Sequence, residues 1–252
     1  MEKDFGMVSI VIPVHNAEKF IIPAVDSIKN QTYTNWQLIL VDDGSKDNSG
    51  SVIDGLAKDN DRILAFHTLG VGAAEARNLG TTHSDGRFLA FLDADDLWAP
   101  EKLEHELFYL TENDGAFAFT GYEFADEFGV GNGKIVHPPK TLTYKEALKN
   151  TTIFTSTVLF DLDKLTKEEL MMPKVKSEDT ALWWRILRSG VTAYGLDENL
   201  VIYRRAGKSL SSNKLEAVRR IWNLYRKVEG LSLIKSCYYF VFWGYNAVAR
   251  RV

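Results

Sequence analysis

The chain has 252 residues, of which 45% are hydrophobic and 25% charged, and a formal net charge of -4. This is ordinary globular composition, long enough for one large α/β domain or two small ones. A single cysteine, Cys237, excludes an intrachain disulfide framework, and five histidines without a paired helical spacing exclude a recognisable zinc motif.

The apolar, β-branched run Val8–Val14 reads as a buried strand, too short and too interrupted by Pro13 for a secretory signal. With Glu2 and Asp4 where a signal peptide carries positive charge, a cytoplasmic protein is expected. Asn16 is placed to cap a helix over 17–30. A second strand over 37–41 ends in Asp42-Asp43-Gly44-Ser45, a helix follows Asn48, and a third strand covers 63–66. A helix of small residues spans 73–82, a fourth strand 88–92, and a helix 101–112. Strands alternating with helices in this way predict a mainly parallel sheet flanked by helices. Further on, a strand is expected at 116–120, a Gly-rich turn at 129–133, a short helix at 144–149 and a strand at 157–160. Ser177 is expected to cap a helix that Gly190 ends, and a last strand covers 200–203. The organisation predicted is a nucleotide-binding half to about residue 100, an acceptor-facing half over 101–212, and a tail over 213–252.

The tail carries eight basic residues against two acidic ones, a net +6 that leaves -10 on the remainder. A basic, amphipathic tail on an acidic body predicts an anionic membrane surface as partner, or a second copy of the chain, and argues against nucleic acid. Its apolar run from Cys237 has 13 residues, below the roughly 20 that span a bilayer.

Strand 88–92 stops in Asp93-Ala94-Asp95-Asp96. Three carboxylates within four positions repel one another, and a hard divalent cation with oxygen ligands compensates them best; Mg2+ or Mn2+ commonly bridges one or two carboxylates to substrate phosphates. Ligands of open α/β sheets sit beyond the C-terminal strand ends, which here carry Pro13, His15 and Asn16, then Asp42, Asp43 and Gly44, then Asp93, Ala94 and Asp95. Arg77 stands in a slim helix where a guanidinium can hold a diphosphate or pair with an aspartate. Glu178 and Asp179 open a helix, as dipole-favoured acids or as a general base, and Trp183 follows as a sugar platform or a core residue. Arg204, Lys208 and Ser209 form a polar loop for phosphates, or a solvated linker.

Six segments in order resemble the inverting family 2 glycosyltransferases with the GT-A nucleotide-diphospho-sugar fold: Val8 to Asn16, Gln31-Thr32-Tyr33, Val41 to Asp47, Ala76-Arg77-Asn78-Leu79-Gly80, Phe91 to Trp98, and Glu178-Asp179. The resemblance covers about residues 7–212. It implies that Asp42 contacts the base, that Asp93 and Asp95 serve ribose and metal, that Arg77 supports the diphosphate, and that Asp179 is the catalytic base. The implied reaction moves a sugar, with UDP the expected nucleotide, to a glycan or lipid-linked acceptor of cell-surface polysaccharide synthesis, on the inner face of the membrane. Gly70 departs from the asparagine of many members, and Ala206-Gly207 from the histidine of some. Two alternatives remain: a sugar nucleotidyltransferase, although the Gly-rich loop expected after its first strand is missing, and a non-catalytic nucleotide-sugar-binding subunit.

Overall fold

The computed structural model describes residues 4–150, 152–204 and 214–249. Its elements are β1 Val8–Val14, α1 Ile21–Lys29, β2 Trp36–Asp43, α2 Ser49–Lys58, β3 Ile63–Thr68, α3 Ala73–Thr82, β4 Phe88–Phe91, β5 Leu97–Trp98, α4 Lys102–Glu112 and β6 Phe117–Ala125. These are followed by β7 Gly131–Val136, β8 Thr141–Leu142, α5 Tyr144–Ala147, a single 3-10 turn Thr155–Thr157, β9 Val158–Asp161, α6 Glu178–Arg188 and β10 Ala193–Arg204. The chain ends in α7 Lys214–Asn223, a π turn Leu224–Val228 and α8 Leu233–Ala249.

One sheet runs in the order β3-β2-β1-β4-β9-β6-β10-β5, with β7 on β6 and β8 on β10. The first four strands are parallel, as the alternating pattern predicts. β9 then lies antiparallel to both β4 and β6, while β10 returns parallel to β6. The chain leaves β1 toward β2 on one side and comes back to β4 on the other, so the β1 and β4 ends flank a switch point, where such sheets bind ligands.

The central strands are buried on both faces, because successive side chains point to opposite layers. Ile10 and Ile12 pack with α1 and α4 through Ile28 and Leu107, whereas Val11 packs with Ala76 of α3 and the α6 tryptophans. Gly80 sets how near α3 comes: a Cβ built on it would stand 2.3 Å from Val11 Cγ1.

Several boundaries differ from expectation. Residues 17–20 form a turn before α1, and Asn16 does not cap it; the N-cap is Phe20, while Asn16 adopts φ 51°. Ser177 does hold the N-cap position of α6, but at φ 60° and without a side-chain capping bond. β6 extends five residues beyond 120 and folds back on β7, so the Gly-rich stretch is partly strand.

The tail is helical and serves two surfaces. Ile221, Leu224 and Tyr225 are buried in the layer of Trp184, whose ring stacks on Tyr225 with centroids 5.2 Å apart. Ile234, Tyr238, Val241 and Tyr245 of α8 face outward, each more than half exposed. Among the described residues no helix is long and apolar enough to cross a membrane.

Candidate active site

The loops after β1 and β2 are laced together. His15 Nδ1 lies 2.8 Å from the Asp43 carbonyl oxygen, the Asn16 N–H donates to Ser45 Oγ at 2.9 Å, and Asn16 Oδ1 accepts from the Lys46 N–H at 2.8 Å. The left-handed backbone of Asn16 therefore serves this lacing. Asp42 is nearly buried, with Oδ1 accepting from the Ser45 N–H at 3.3 Å and Oδ2 3.4 Å from His67 Nδ1. Asp43 faces inward instead, accepting from Thr68 Oγ1 and from the N–H groups of Val71 and Gly72 at 2.6 to 2.7 Å. Burial works against its charge, but these three donors hold the Asp43 carboxyl below the ordinary carboxylate range. Its carboxylate orders the loop that precedes α3. Gly44 at φ +68° lets this loop close, since a Cβ there would stand 2.9 Å from the Gly70 nitrogen.

The turn after β4 divides its three aspartates. Asp96 is buried and structural: Ser156 Oγ donates to it at 2.6 Å and the Arg204 N–H at 3.2 Å. Burial, and then the charges of Asp93 and Asp95, push its pKa well up. Asp93 and Asp95 remain half-buried. The Asp95 carboxyl is also raised, first by burial and then by Asp93, so a cation between them would relieve the repulsion. Arg204 is buried under this turn. Its Nε donates to the Asp95 carbonyl oxygen and its Nη2 to the Phe20 carbonyl oxygen.

Arg77 joins this turn to α6. Its guanidinium is 6% exposed, with Nη2 donating to Asp93 Oδ1 and Nη1 3.5 Å from Glu178 Oε1. Burial opposes the charge, but Asp93 and Glu178 outweigh it and raise the pKa further. Asn78 is the next clamp. It exchanges two hydrogen bonds with the Met172 backbone, at 2.6 and 2.9 Å, and so fixes the segment leading into α6.

Thr155 and Ser156 carry no motif, and no local signal marks them, yet their 3-10 turn bridges the two acidic groups. Ser156 Oγ accepts from the Asp93 N–H at 3.0 Å, while Thr155 Oγ1 donates to Asp179 Oδ2 at 3.4 Å. Asp179 Oδ1 accepts from the Thr180 N–H at 2.6 Å. Asp93, Asp95, Glu178 and Asp179 thus belong to one connected network.

Trp183 is not part of it. Its ring is 2% exposed, packed against Phe117 and Phe160, so no face is open to a sugar. Lys208 and Ser209, with Ala206-Gly207, lie outside the described residues. Among the described residues no group of three or more His, Cys, Asp or Glu could hold a metal by itself. Two carboxylates completed by substrate phosphates is the arrangement Mg2+ and Mn2+ commonly take, and Asp93 and Asp95 fit it.

The family described as glycosyl transferase family 2 matches residues 9–161, the β1 to β9 part of the sheet. The chain is 38% identical over 248 residues to TuaG of Bacillus subtilis, whose provisional name assigns it to teichuronic acid biosynthesis, covering 98% of both proteins. The chain belongs to glycosyl transferase family 2. It is also 35% identical over 222 residues to WfgD of Escherichia coli, named as a UDP-Glc:α-D-GlcNAc-diphosphoundecaprenol β-1,3-glucosyltransferase, covering 88% of this chain and 86% of that one. Family membership removes the nucleotidyltransferase alternative. Among solved structures, Staphylococcus aureus TarS 1-349 with UDP-GlcNAc superposes with a TM-score of 0.69 at 18% identity, over 94% of this chain and 71% of that one. The mannosyltransferase PcManGT of Pyrobaculum calidifontis, with GDP-Man and Mn2+, gives 0.70 at 16%, over 96% and 73%. The fold is that of the GT-A glycosyltransferases.

Proposed function

We propose that this family 2 enzyme transfers a sugar, with inversion, from a UDP-sugar to a hydroxyl of a lipid-diphosphate-linked glycan in cell-surface polysaccharide synthesis, and that the transfer depends on Mn2+ or Mg2+. One observation carries the reading: the Asp93 to Asp96 turn and the start of α6 are joined by Arg77 and by the Thr155-Ser156 turn, so nucleotide-side and acceptor-side acids share one site. The name of WfgD supports the acceptor class and the UDP donor, and that of TuaG supports glycosyl transfer in polysaccharide synthesis.

Asp42 takes the base, and the laced His15-Asn16 loop borders it. Asp93 and Asp95 would hold the metal, which would supply positive charge to offset that building on the departing diphosphate. Arg77 keeps Asp93 in place and adds a fixed positive charge behind it. Asp179 accepts the proton of the attacking hydroxyl, held by Thr155 and the Thr180 N–H. Glu178 is kept toward Arg77 and away from the hydroxyl. The outward face of α8, with Lys235 on the same helix and Lys149 over the rings of Tyr238 and Phe242, rests on an anionic membrane surface.

A donor panel tests the reading. UDP release from UDP-glucose, UDP-GlcNAc and UDP-galactose is measured with Mn2+ and with EDTA. Metal-dependent release from at least one is expected; none from any would leave a non-catalytic binding subunit.

A further inference from the structure

Beside α6 lies an open cavity of about 460 Å3, formed where residues 71–75, at the start of α3, meet residues 174–178, with Arg220 of α7 completing the wall. Lys174, Lys176 and Arg220 give it three cations. Their pairing is thin. Lys174 Nζ is 3.3 Å from Glu75 Oε1, while Lys176 Nζ and Arg220 Nε share the single oxygen Glu216 Oε1 at 2.7 and 3.4 Å. Arg220 thus meets Glu216 through Nε. Glu178, the other carboxylate of the lining, is turned to Arg77. A guanidinium fork with two flanking ammonium groups suits an anion that spans two phosphates.

The rim is apolar as well as basic. Val71 and Val175 line the cavity with side chains 50% and 37% exposed, and on α7 Leu215 and Val218, two to five residues before Arg220, are 73% and 39% exposed. Exposed apolar groups beside cations that share two carboxylates among three match an amphiphilic anion better than a wholly polar one. The position agrees, since Ser177 and Glu178 in the lining immediately precede Asp179.

We infer that this cavity holds the diphosphate of a prenyl-linked acceptor, with Lys174 and Arg220 as its main contacts and the lipid leaving over Val175 and Leu215. The inference rests on the reaction proposed above and adds to it a site for the acceptor's charged group. It also gives the tail a part in recognition, because Arg220 belongs to α7.

The same chemistry occurs in the donor, so the test separates the two. Farnesyl diphosphate and farnesol serve as probes of the full-length chain, titrated by calorimetry with UDP and Mn2+ at saturation, and UDP is titrated separately. Farnesyl diphosphate is expected to bind the UDP-loaded protein, and Lys174→Gln and Arg220→Gln to weaken it by about tenfold or more each, the usual effect of losing a hydrogen bond to a charged group. UDP affinity should stay within about twofold. Thermal melts confirm that the variants fold, and Lys140→Gln, a surface lysine outside the cavity, controls for net charge. Displacement of farnesyl diphosphate by UDP would assign the cavity to the donor and overturn the inference. Equal binding of farnesol, or unchanged binding by both variants, would do so too. Failure of UDP itself to bind would instead strike the proposed function.

Discussion

Arg204 holds Asp95 by its main chain: the guanidinium donates to the Asp95 carbonyl oxygen, 109 positions away in sequence, and the Arg204 N–H donates to Asp96 Oδ1 at 3.2 Å. The residue thus shapes the metal-side turn from beneath. Lysine cannot reproduce a fork that serves Asp95 and Phe20 together. Arg204→Lys is therefore expected to cost about 1 to 3 kcal/mol of stability and to weaken UDP binding in Mn2+ by about tenfold, with metal-free UDP binding little changed. Calorimetry with and without Mn2+ checks this. An equal loss in both conditions would put Arg204 on the nucleotide.

Gly80 and Val11 set the height of α3 above β1, and Arg77 lies on that helix. Gly80→Ala should cost about 1 to 3 kcal/mol, because the new methyl meets Val11 in a packed layer. Urea unfolding measures it. Adding Val11→Ala should recover part of the loss, and a double variant no better than the sum of both singles would refute the contact.

Lys102 and Glu106 form a pair with no solvent exposure, Nζ lying 4.1 Å from the Trp98 ring centroid. Burial pushes the Glu106 carboxyl up to about 7 even against Lys102, and it pulls Lys102 down. Lys102→Met removes the one countercharge, so Glu106 stays protonated in the native state to still higher pH. The unfolded chain releases that proton near the ordinary glutamate value of about 4.3. The native state then binds more protons across the interval, and stability must fall as pH rises. The variant should lose about 1.4 kcal/mol per pH unit between roughly pH 5 and 7 relative to Lys102→Met/Glu106→Leu, which has no such group. Denaturant melts at pH 5 and 7 give the difference; a pH-independent gap would show Glu106 ionised despite its burial.

The tail cannot be tested by deletion, since Ile221, Leu224 and Tyr225 belong to the core. Substitution on its outer face can. The full chain is expected to sediment with anionic phosphatidylglycerol vesicles and to be released as salt rises, whereas Ile234→Glu/Val241→Glu should stay in the supernatant with its melting temperature unchanged. A full chain that ignores vesicles but dimerises through this face in ultracentrifugation would make α8 a subunit interface.

How much of this was legible in the sequence follows from the range of the interactions. β1 and α3 have their predicted bounds, because a continuous β-branched run and a small-residue helix are local patterns. β10 was visible only at 200–203, since its first half is interrupted at Asp197-Glu198-Asn199, where the pairing with β6 shifts register. The antiparallel direction of β9 is set by its neighbours and leaves no mark in its four residues. At the site, the acidic residues were readable as motifs. Asp43, Ser156 and Arg204 were not readable in their roles, which depend on partners 25 to 109 positions away. Trp183 shows the converse: a tryptophan beside a motif looks available until its packing is seen.

The central claim, that an acid at the start of α6 serves a metal-held donor, is tested most directly by turnover of Asp179→Asn with the UDP-sugar selected by the donor panel and its acceptor, in Mn2+. The amide keeps the shape but cannot take the proton. Turnover is predicted to fall by roughly 10^2 to 10^4, with UDP affinity nearly preserved. Turnover within a few-fold of the unaltered protein would contradict the account.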